Sequence, residues 1–170
     1  MTAAPDQHEL EHLAGDIGTL FLANGQMLAS AESCTGGWAA QCLTAIAGSS
    51  QWFERGFITY SNAAKCEMLG VESDVIDAHG AVSEAVAAAM AIGALRNSRA
   101  DWSMAITGIA GPGGGSAGKP VGTVCFGWAG PEGMIRTETC GFYGGRQEIR
   151  AQSVAHAFKV LLAQAWQVAT

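Results

Sequence analysis

The sequence predicts an α/β domain in which one mixed sheet carries helices on both faces. Two observations predict it. Early in the chain, short runs rich in β-branched and aromatic residues alternate with stretches of helical periodicity, the pattern of strand–helix units. Later, two strand-like runs, Val121 to Trp128 and Met134 to Phe142, face each other across Gly130-Pro131-Glu132-Gly133, a hairpin signal. A length of 170 residues with 49% hydrophobic content suits a single domain, residues 1–170, with a sizeable core.

The elements follow in order. Asp6 and Glu9 form a capping-box pattern ahead of a helix over about residues 6–24. Leu10, Leu13, Ile17, Leu20 and Phe21 recur along it at helical spacing, and Gly25 ends it. Gln26-Met27-Leu28-Ala29 is an apolar run that reads as the first strand, and a helical pattern extends from Trp38 to Ile46. Phe53 to Tyr60 reads as a second strand. Ser61-Asn62 caps a short helix, Ala63 to Leu69, that Gly70 stops, and Val71 to His79 reads as a short helical connection. Ser83 caps the alanine-rich helix Glu84 to Arg96, on which Val86, Met90 and Gly93 share a face. Asp101 to Ile106 is a third strand, and the glycine-rich stretch Thr107 to Pro120 leads into the hairpin. The last helix begins behind Tyr143-Gly144-Gly145-Arg146 and runs to about Trp166, with Val154, Phe158, Leu161 and Ala165 as its buried stripe.

Composition excludes several function classes. The net charge of −6 disfavours a nucleic-acid partner, which needs a basic face. No apolar run is long enough to span a bilayer, and Met1 to Leu10 lacks the regions of a signal peptide. Cys34, Cys42, Cys66, Cys125 and Cys140 are odd in number and contain no CxxC pair. They read as reduced thiols in a cytoplasm, not as a disulfide frame or a zinc site.

Two motif matches are set aside. His8-Glu9-Leu10-Glu11-His12 fits the HExxH zinc pattern, but both histidines point well away from the apolar stripe of their helix. Gly113 to Pro120 falls one residue short of a phosphate-binding P-loop, with Pro120 where the magnesium-binding hydroxyl belongs and a strand where a helix is needed. No metal and no cofactor are expected. The glycines of this loop either bring backbone N–H groups close to a ligand or form a hairpin tip.

The stretch Ser30-Ala31-Glu32-Ser33-Cys34-Thr35-Gly36-Gly37 joins the first strand to a helix. Helix N-termini expose unpaired N–H groups and the positive end of a dipole, where an anion or an oxyanion can sit. Ser33 is therefore a candidate nucleophile; the competing reading is that Ser33 or Thr35 caps the helix. Lys65 falls in the first turn of its short helix, where a cation opposes the dipole and its pKa drops. The competing reading is a solvated lysine. A lysine base working near neutral pH needs its pKa lowered from about 10.4 toward 7–8, at a cost of about 4 kcal/mol that partial burial and the helix end together can supply. Arg146, in the first turn of the last helix, is either a bidentate phosphate clamp or an ion-pair partner of Glu148 or Glu32.

Five ordered motifs carry a resemblance. Ala31-Glu32-Ser33-Cys34-Thr35-Gly36-Gly37, Thr59-Tyr60-Ser61-Asn62 with Lys65, and His79-Gly80-Ala81-Val82-Ser83 are the first three. Thr107 to Gly114 and Lys119-Pro120-Val121-Gly122-Thr123-Val124 complete the set. Together they resemble the C-terminal domain of the competence/damage-inducible protein CinA, over about Gly25 to Trp166. The resemblance implies a three-layer α/β/α sandwich and a homo-oligomer, and it leaves no room for the N-terminal domain of two-domain members. Stand-alone members are nicotinamide-nucleotide amidohydrolases, which convert nicotinamide mononucleotide to nicotinate mononucleotide and ammonia in pyridine-nucleotide salvage. On this resemblance Ser33 is the nucleophile and Lys65 and Tyr60 complete a serine–lysine-type amidase site. Glu32, Thr35, Gly36, Asn62, Thr107, Gly108 and Arg146 would contact the substrate. Asn62, Thr107 and Arg146 would hold the ribose phosphate, and amides near Thr35-Gly36 or Thr107-Gly108 would form the oxyanion hole. Two other functions stay open: a nucleotide-binding module without chemistry, and a thiol hydrolase with Cys34 as nucleophile.

Overall fold

A computed structural model describes residues 3–169. Among them are six α-helices: α1 (Gln7–Asn24), α2 (Trp38–Thr44), α3 (Asn62–Leu69), α4 (Ser73–His79), α5 (Glu84–Arg96) and α6 (Arg146–Ala169). Five strands, β1 (Leu28–Glu32), β2 (Phe53–Ile58), β3 (Trp102–Gly108), β4 (Thr123–Ala129) and β5 (Ile135–Gly141), form one sheet in the order β2-β1-β3-β4-β5. β1 is parallel to both of its neighbours, while β3, β4 and β5 pair antiparallel, so the sheet is mixed as the sequence predicts. None of these helices is long and apolar enough to cross a membrane.

Local chemistry sets the element ends. The capping box at α1 is reciprocal: Glu9 N–H donates to Asp6 Oδ1 at 2.9 Å and Asp6 N–H to Glu9 Oε2 at 2.8 Å. Gly25 closes α1 in the left-handed region at φ 63°. The Gly130–Gly133 turn contains a single 3₁₀ turn, Pro131–Gly133. β3 reaches two residues further than the periodicity predicts, which puts Thr107 and Gly108 inside the sheet. β2 stops at Ile58, two residues earlier than predicted, so Thr59 and Tyr60 belong to the turn that enters α3.

Alternation along the strands feeds two separate cores, one on each face. On one face Leu28, Trp102, Met104, Ile106 and Phe126 pack with Leu10 and Phe21 of α1, Leu43 of α2 and Phe158 of α6. On the other, Ala29, Ala31, Ala105 and Ala129 meet Leu69 of α3, Ile76 of α4 and Val86 and Met90 of α5. The residues differ in size for a reason. The first face fills with large rings, while the second is small enough for α5 to lie almost directly on the sheet. Ser103 Oγ donates to the carbonyl of Ala91 in α5 at 2.7 Å, and a Cβ at Gly127 would run into the carbonyl of Ala87.

α5 meets α3 just as closely. Gly93 lies against the carbonyl of Leu69, and any side chain there would collide with that oxygen and the atoms behind it. Because backbone cannot yield as a side-chain tip can, Gly93→Ala is expected to lower the free energy of unfolding by about 1–3 kcal/mol in urea titration. An unchanged midpoint would mean that α3 is free to move off α5.

Candidate functional site

Three parallel strands end side by side, and the site lies past their C-terminal ends, where open α/β sheets place ligands. β1 delivers Ser33, whose N–H donates to the carbonyl of Ile106 in β3 at 2.9 Å. The chain leaving β2 delivers Thr59, tied to β1 through its N–H to the carbonyl of Glu32 at 2.8 Å. Ser61 caps α3 through its hydroxyl, which accepts the Ala64 N–H at 3.0 Å. One turn on, Lys65 turns its side chain inward beneath the strand ends.

Lys65 is only 1% exposed and Ser33 8%. Nζ of Lys65 stands 3.1 Å from Ser33 Oγ and donates to the carbonyl of Thr59 at 3.0 Å. Burial pushes the pKa of Lys65 below the ordinary lysine value, against a weaker opposing pull from the thiols of Cys34 and Cys66. Of the two causes that the sequence offered, burial and the helix end, burial is the one that lowers it; the solvated-lysine reading does not hold.

A pocket of about 310 Å³ opens over this pair. Of the predicted residues, Ser33, Tyr60, Asn62, Lys65, Thr107, Gly108 and Arg146 line it; Glu32, Thr35 and Gly36 do not. Arg146 pairs with neither Glu148 nor Glu32. Its guanidinium donates to the carbonyl of Gly111 at 2.7 Å and to Tyr60 Oη at 3.3 Å. Glu148 instead accepts the Gly145 N–H at 2.6 Å, so a carboxylate already occupies the N-terminus of α6. Thr107 gives its hydroxyl proton to the carbonyl of Ala81 at 2.8 Å, which fastens the His79–Ser83 loop to β3.

Glu32 has a structural task. Its carboxylate, 1% exposed, accepts the Thr35 hydroxyl at 2.6 Å and the N–H groups of Gly37, Ala39 and Ala40 at 3.1, 3.1 and 2.9 Å. It caps α2 from the end of β1, satisfying amides that a helix start leaves unpaired. Neither Ser33 nor Thr35 is the cap residue; that place falls to Gly37 at φ 98°.

Arg150 escaped the sequence reading. Its Nε donates to the carbonyl of Cys34 at 3.0 Å and its Nη2 to that of Thr35 at 2.8 Å, while the guanidinium lies over the Trp38 ring. One turn after Arg146 on α6, it clamps the turn that carries Ser33; the four-residue spacing was the available signal. Cys34 lines the pocket, but burial pushes its thiol up to about 12, which leaves it protonated at neutral pH. Of the HExxH residues, His8, Glu9 and His12 are exposed, and Glu9 is engaged in the capping box.

A three-layer α/β/α fold and a buried serine–lysine pair at the C-terminal ends of its parallel strands define the class of the molecule. The chain belongs to the family described as the CinA C-terminal domain, whose model matches residues 10–165. It is 52% identical over 161 residues to the nicotinamide-nucleotide amidohydrolase PncC of Escherichia coli K12, covering 94% of each chain. It is also 52% identical over 154 residues to a CinA-like protein of Syntrophobacter fumaroxidans, covering 91% of this chain and 35% of that longer one. The crystal structure of the competence/damage inducible protein CihA from Agrobacterium tumefaciens superposes with a TM-score of 0.89 at 48% identity, covering 96% of this chain and 98% of the other.

The placement of Glu32 has a measurable consequence. In Glu32→Gln one carboxylate oxygen becomes an NH₂ facing a backbone N–H. Unfolding in urea is expected to cost about 1–3 kcal/mol less, the penalty for an unsatisfied buried group. A side chain that served only the ligand would leave stability unchanged.

Proposed function

We propose that the chain is a nicotinamide-nucleotide amidohydrolase that turns nicotinamide mononucleotide into nicotinate mononucleotide and ammonia through an acyl-enzyme on Ser33. The observation that carries this reading is the 3.1 Å contact between Lys65 Nζ and Ser33 Oγ at the floor of a polar pocket. The 52% identity to the E. coli amidohydrolase over 94% of each chain supports the substrate class.

The geometry supports the following steps. The depressed pKa favours a neutral amine, which has two protons and one lone pair. Donation to Thr59 O fixes the amine and leaves the lone pair for the Ser33 hydroxyl. Ser33 Oγ attacks the carboxamide carbon as its proton passes to Nζ. Lys65 then returns that proton to the departing nitrogen, which leaves as ammonia. Water, deprotonated by the same amine, cleaves the acyl ester and regenerates Ser33.

The tetrahedral oxyanion needs a donor. Ile109 N–H bonds Thr123 O in β4, so alternation along β3 turns the N–H of Gly108 the other way, beyond the end of β1 on the Ser33 side. A Cβ at Gly108 would stand 2.7 Å from Val124 Cγ2 and 3.1 Å from Thr123 O. The Gly36 N–H, the other candidate, is already bonded to Ser33 O at 3.1 Å.

The pyridinium ring of the substrate is cationic, and the exposed face of Tyr60 suits it. Arg146 keeps free donors for the 5′-phosphate, with Asn62 beside it at the start of α3. Thr107, its proton already given away, offers only acceptor lone pairs and serves the loop. The raised Cys34 thiol argues against the thiol-hydrolase alternative. All five cysteines are free, which suits a reducing cytoplasm. A homo-oligomer rests on the family resemblance, and sedimentation measures it directly.

Ser33→Ala is expected to bind the mononucleotide while releasing almost no ammonia, with several powers of ten lost from kcat. Lys65→Ala should lose as much, and the double variant little more, because the two act as a unit. Since Lys65 works as the free amine, kcat/KM should rise with pH along a limb below the ordinary lysine pKa. A variant lacking Ser33 that keeps more than about a tenth of kcat, a barrier change under about 1.4 kcal/mol, rules out the covalent route. Mononucleotide binding without turnover by the unaltered protein would favour the silent binding module.

Arg146→Ala tests the phosphate contact. Its KM for the mononucleotide is expected to rise much more than its KM for nicotinamide riboside, which lacks the phosphate. Equal effects on both substrates would assign Arg146 to holding Tyr60 and the Gly111 carbonyl alone.

A further inference from the structure

Away from the pocket, β5 and α6 bring three metal-binding side chains together. Glu138 and Cys140, two apart on β5, point to the same face of the strand, where His156 of α6 meets them. His156 Nε2 lies 3.4 Å from Cys140 Sγ and 3.4 Å from Glu138 Oε2, and Cys140 Sγ lies 3.8 Å from Glu138 Oε1. All three residues are half-buried. None of them lines the Ser33 pocket.

These separations fit a single ion. With zinc–sulfur bonds of about 2.3 Å and zinc–nitrogen or –oxygen bonds of about 2.0–2.1 Å, tetrahedral angles place N and O about 3.4 Å apart and S and N about 3.6 Å apart. A hydrogen-bonded cluster satisfies the same contacts without a metal, but the donor set is informative. A soft sulfur, an imidazole and a carboxylate together suit zinc-like cations better than magnesium or calcium. The imidazole is also held in place: it sits 4.8 Å from the ring of Phe126, 6.0 Å from Phe142 and 6.2 Å from Trp128. Such walls fix a ligand's orientation and exclude water from one side of the ion. A recess of about 380 Å³ bordered by Phe142, Glu9 and Lys159 reaches His156, so one ligand of the cluster meets solvent.

We propose that Glu138, Cys140 and His156 form a site for a thiophilic divalent cation, zinc being the best fit, with water as the fourth ligand. On binding, Cys140 gives up its thiol proton to solvent as the sulfur–metal bond forms; nothing is oxidised or reduced. The ion joins edge strand β5 to α6, the helix that carries Arg146 and Arg150. Two basic groups oppose it. Arg136 Nη2 reaches Glu138 Oε2 at 3.3 Å, with its guanidinium over the Trp128 ring, and Lys159 stands in the wall of the recess. Arg136 is thus a competing cation that a metal must displace or tolerate.

Cobalt titration of the reduced full-length chain tests the site, because thiolate ligation gives a charge-transfer band in the near ultraviolet. One equivalent of Co²⁺ should produce the band and Zn²⁺ should abolish it. Zn²⁺ should also raise the thermal midpoint. Cys140→Ser and His156→Ala should remove band and shift together. Cys66→Ser, which alters the other half-buried thiol, and His8→Ala/His12→Ala should keep both. Arg136→Ala, a surface change that removes the competing charge, should bind Co²⁺ more tightly than the unaltered chain. Absence of the band in the unaltered protein overturns the proposal. So does a band that survives Cys140→Ser, or an Arg136→Ala variant with unchanged or weaker affinity.

Discussion

A buried amine governs the architecture around the pocket. An ammonium group shut away from water costs several kcal/mol unless it is paired, and no carboxylate is placed beside Lys65 among its hydrogen-bond partners. The available escape is to shed the proton, which is the direction in which burial drives its pKa. A neutral amine has two protons and one lone pair, and so can both donate and accept here. Thr59 O and the Ser33 hydroxyl are its partners, and both are fixed by the sheet: Thr59 N–H bonds Glu32 O and Ser33 N–H bonds Ile106 O. The ladder that holds β2, β1 and β3 together thus continues one residue past β1 to fix Ser33 and Thr59 around the amine.

The same economy governs the turn after Ser33. A nucleophile at a strand–helix junction must be held without its own side chain being spent on capping. Here Glu32 takes over the capping, leaving the Ser33 hydroxyl to Lys65. The outward-facing carbonyls of Cys34 and Thr35 are claimed by Arg150, whose guanidinium is itself braced on Trp38 of the helix that Glu32 caps. Strand end, helix start and α6 therefore lock one another, and α2, only seven residues long, gains from them the stability that its length cannot provide.

Much of this was legible in the sequence, and what was not has physical reasons. Helical periodicity with caps found all six helices, because Asp6, Ser61 and Ser83 signal their starts within the local chain. Strand ends were off by up to three residues, β1 running to Glu32 where the apolar run stops at Ala29, since strands end where their neighbours cease to pair with them, a fact absent from local sequence. Partial burial of Lys65 was expected, but not its near-complete enclosure or its contact with Thr59 O, because these are properties of the packed layers and not of the helix turn. Glu32 was expected at the ligand because its position in the motif tells nothing of direction, and only the fold shows its carboxylate turned into α2. Arg150 shares a helix face with Arg146 by its four-residue spacing, but the carbonyls it holds are 115 and 116 positions away, so spacing names the face and not the partners. Glu138, Cys140 and His156 likewise share no template, because a strand period and a helix across the sheet bring them together.

The two nucleophile candidates, adjacent in sequence, show how the fold decides between chemistries. A cysteine attacks as a thiolate, so it needs positive charge or a helix terminus close by. At Cys34 burial dominates and Glu32 adds negative charge, and a backbone hydrogen bond with the smaller pull of Arg150 and Arg146 does not offset them. A serine attacks as a hydroxyl that loses its proton during the step, so it needs a base in contact and no standing charge. The low-dielectric floor that raises the thiol pKa also lowers that of Lys65, the direction that suits the base proposed for Ser33. One environment thus favours the proposed oxygen nucleophile over sulfur, because little water reaches Lys65, Ser33 and Cys34 at the ends of the parallel strands.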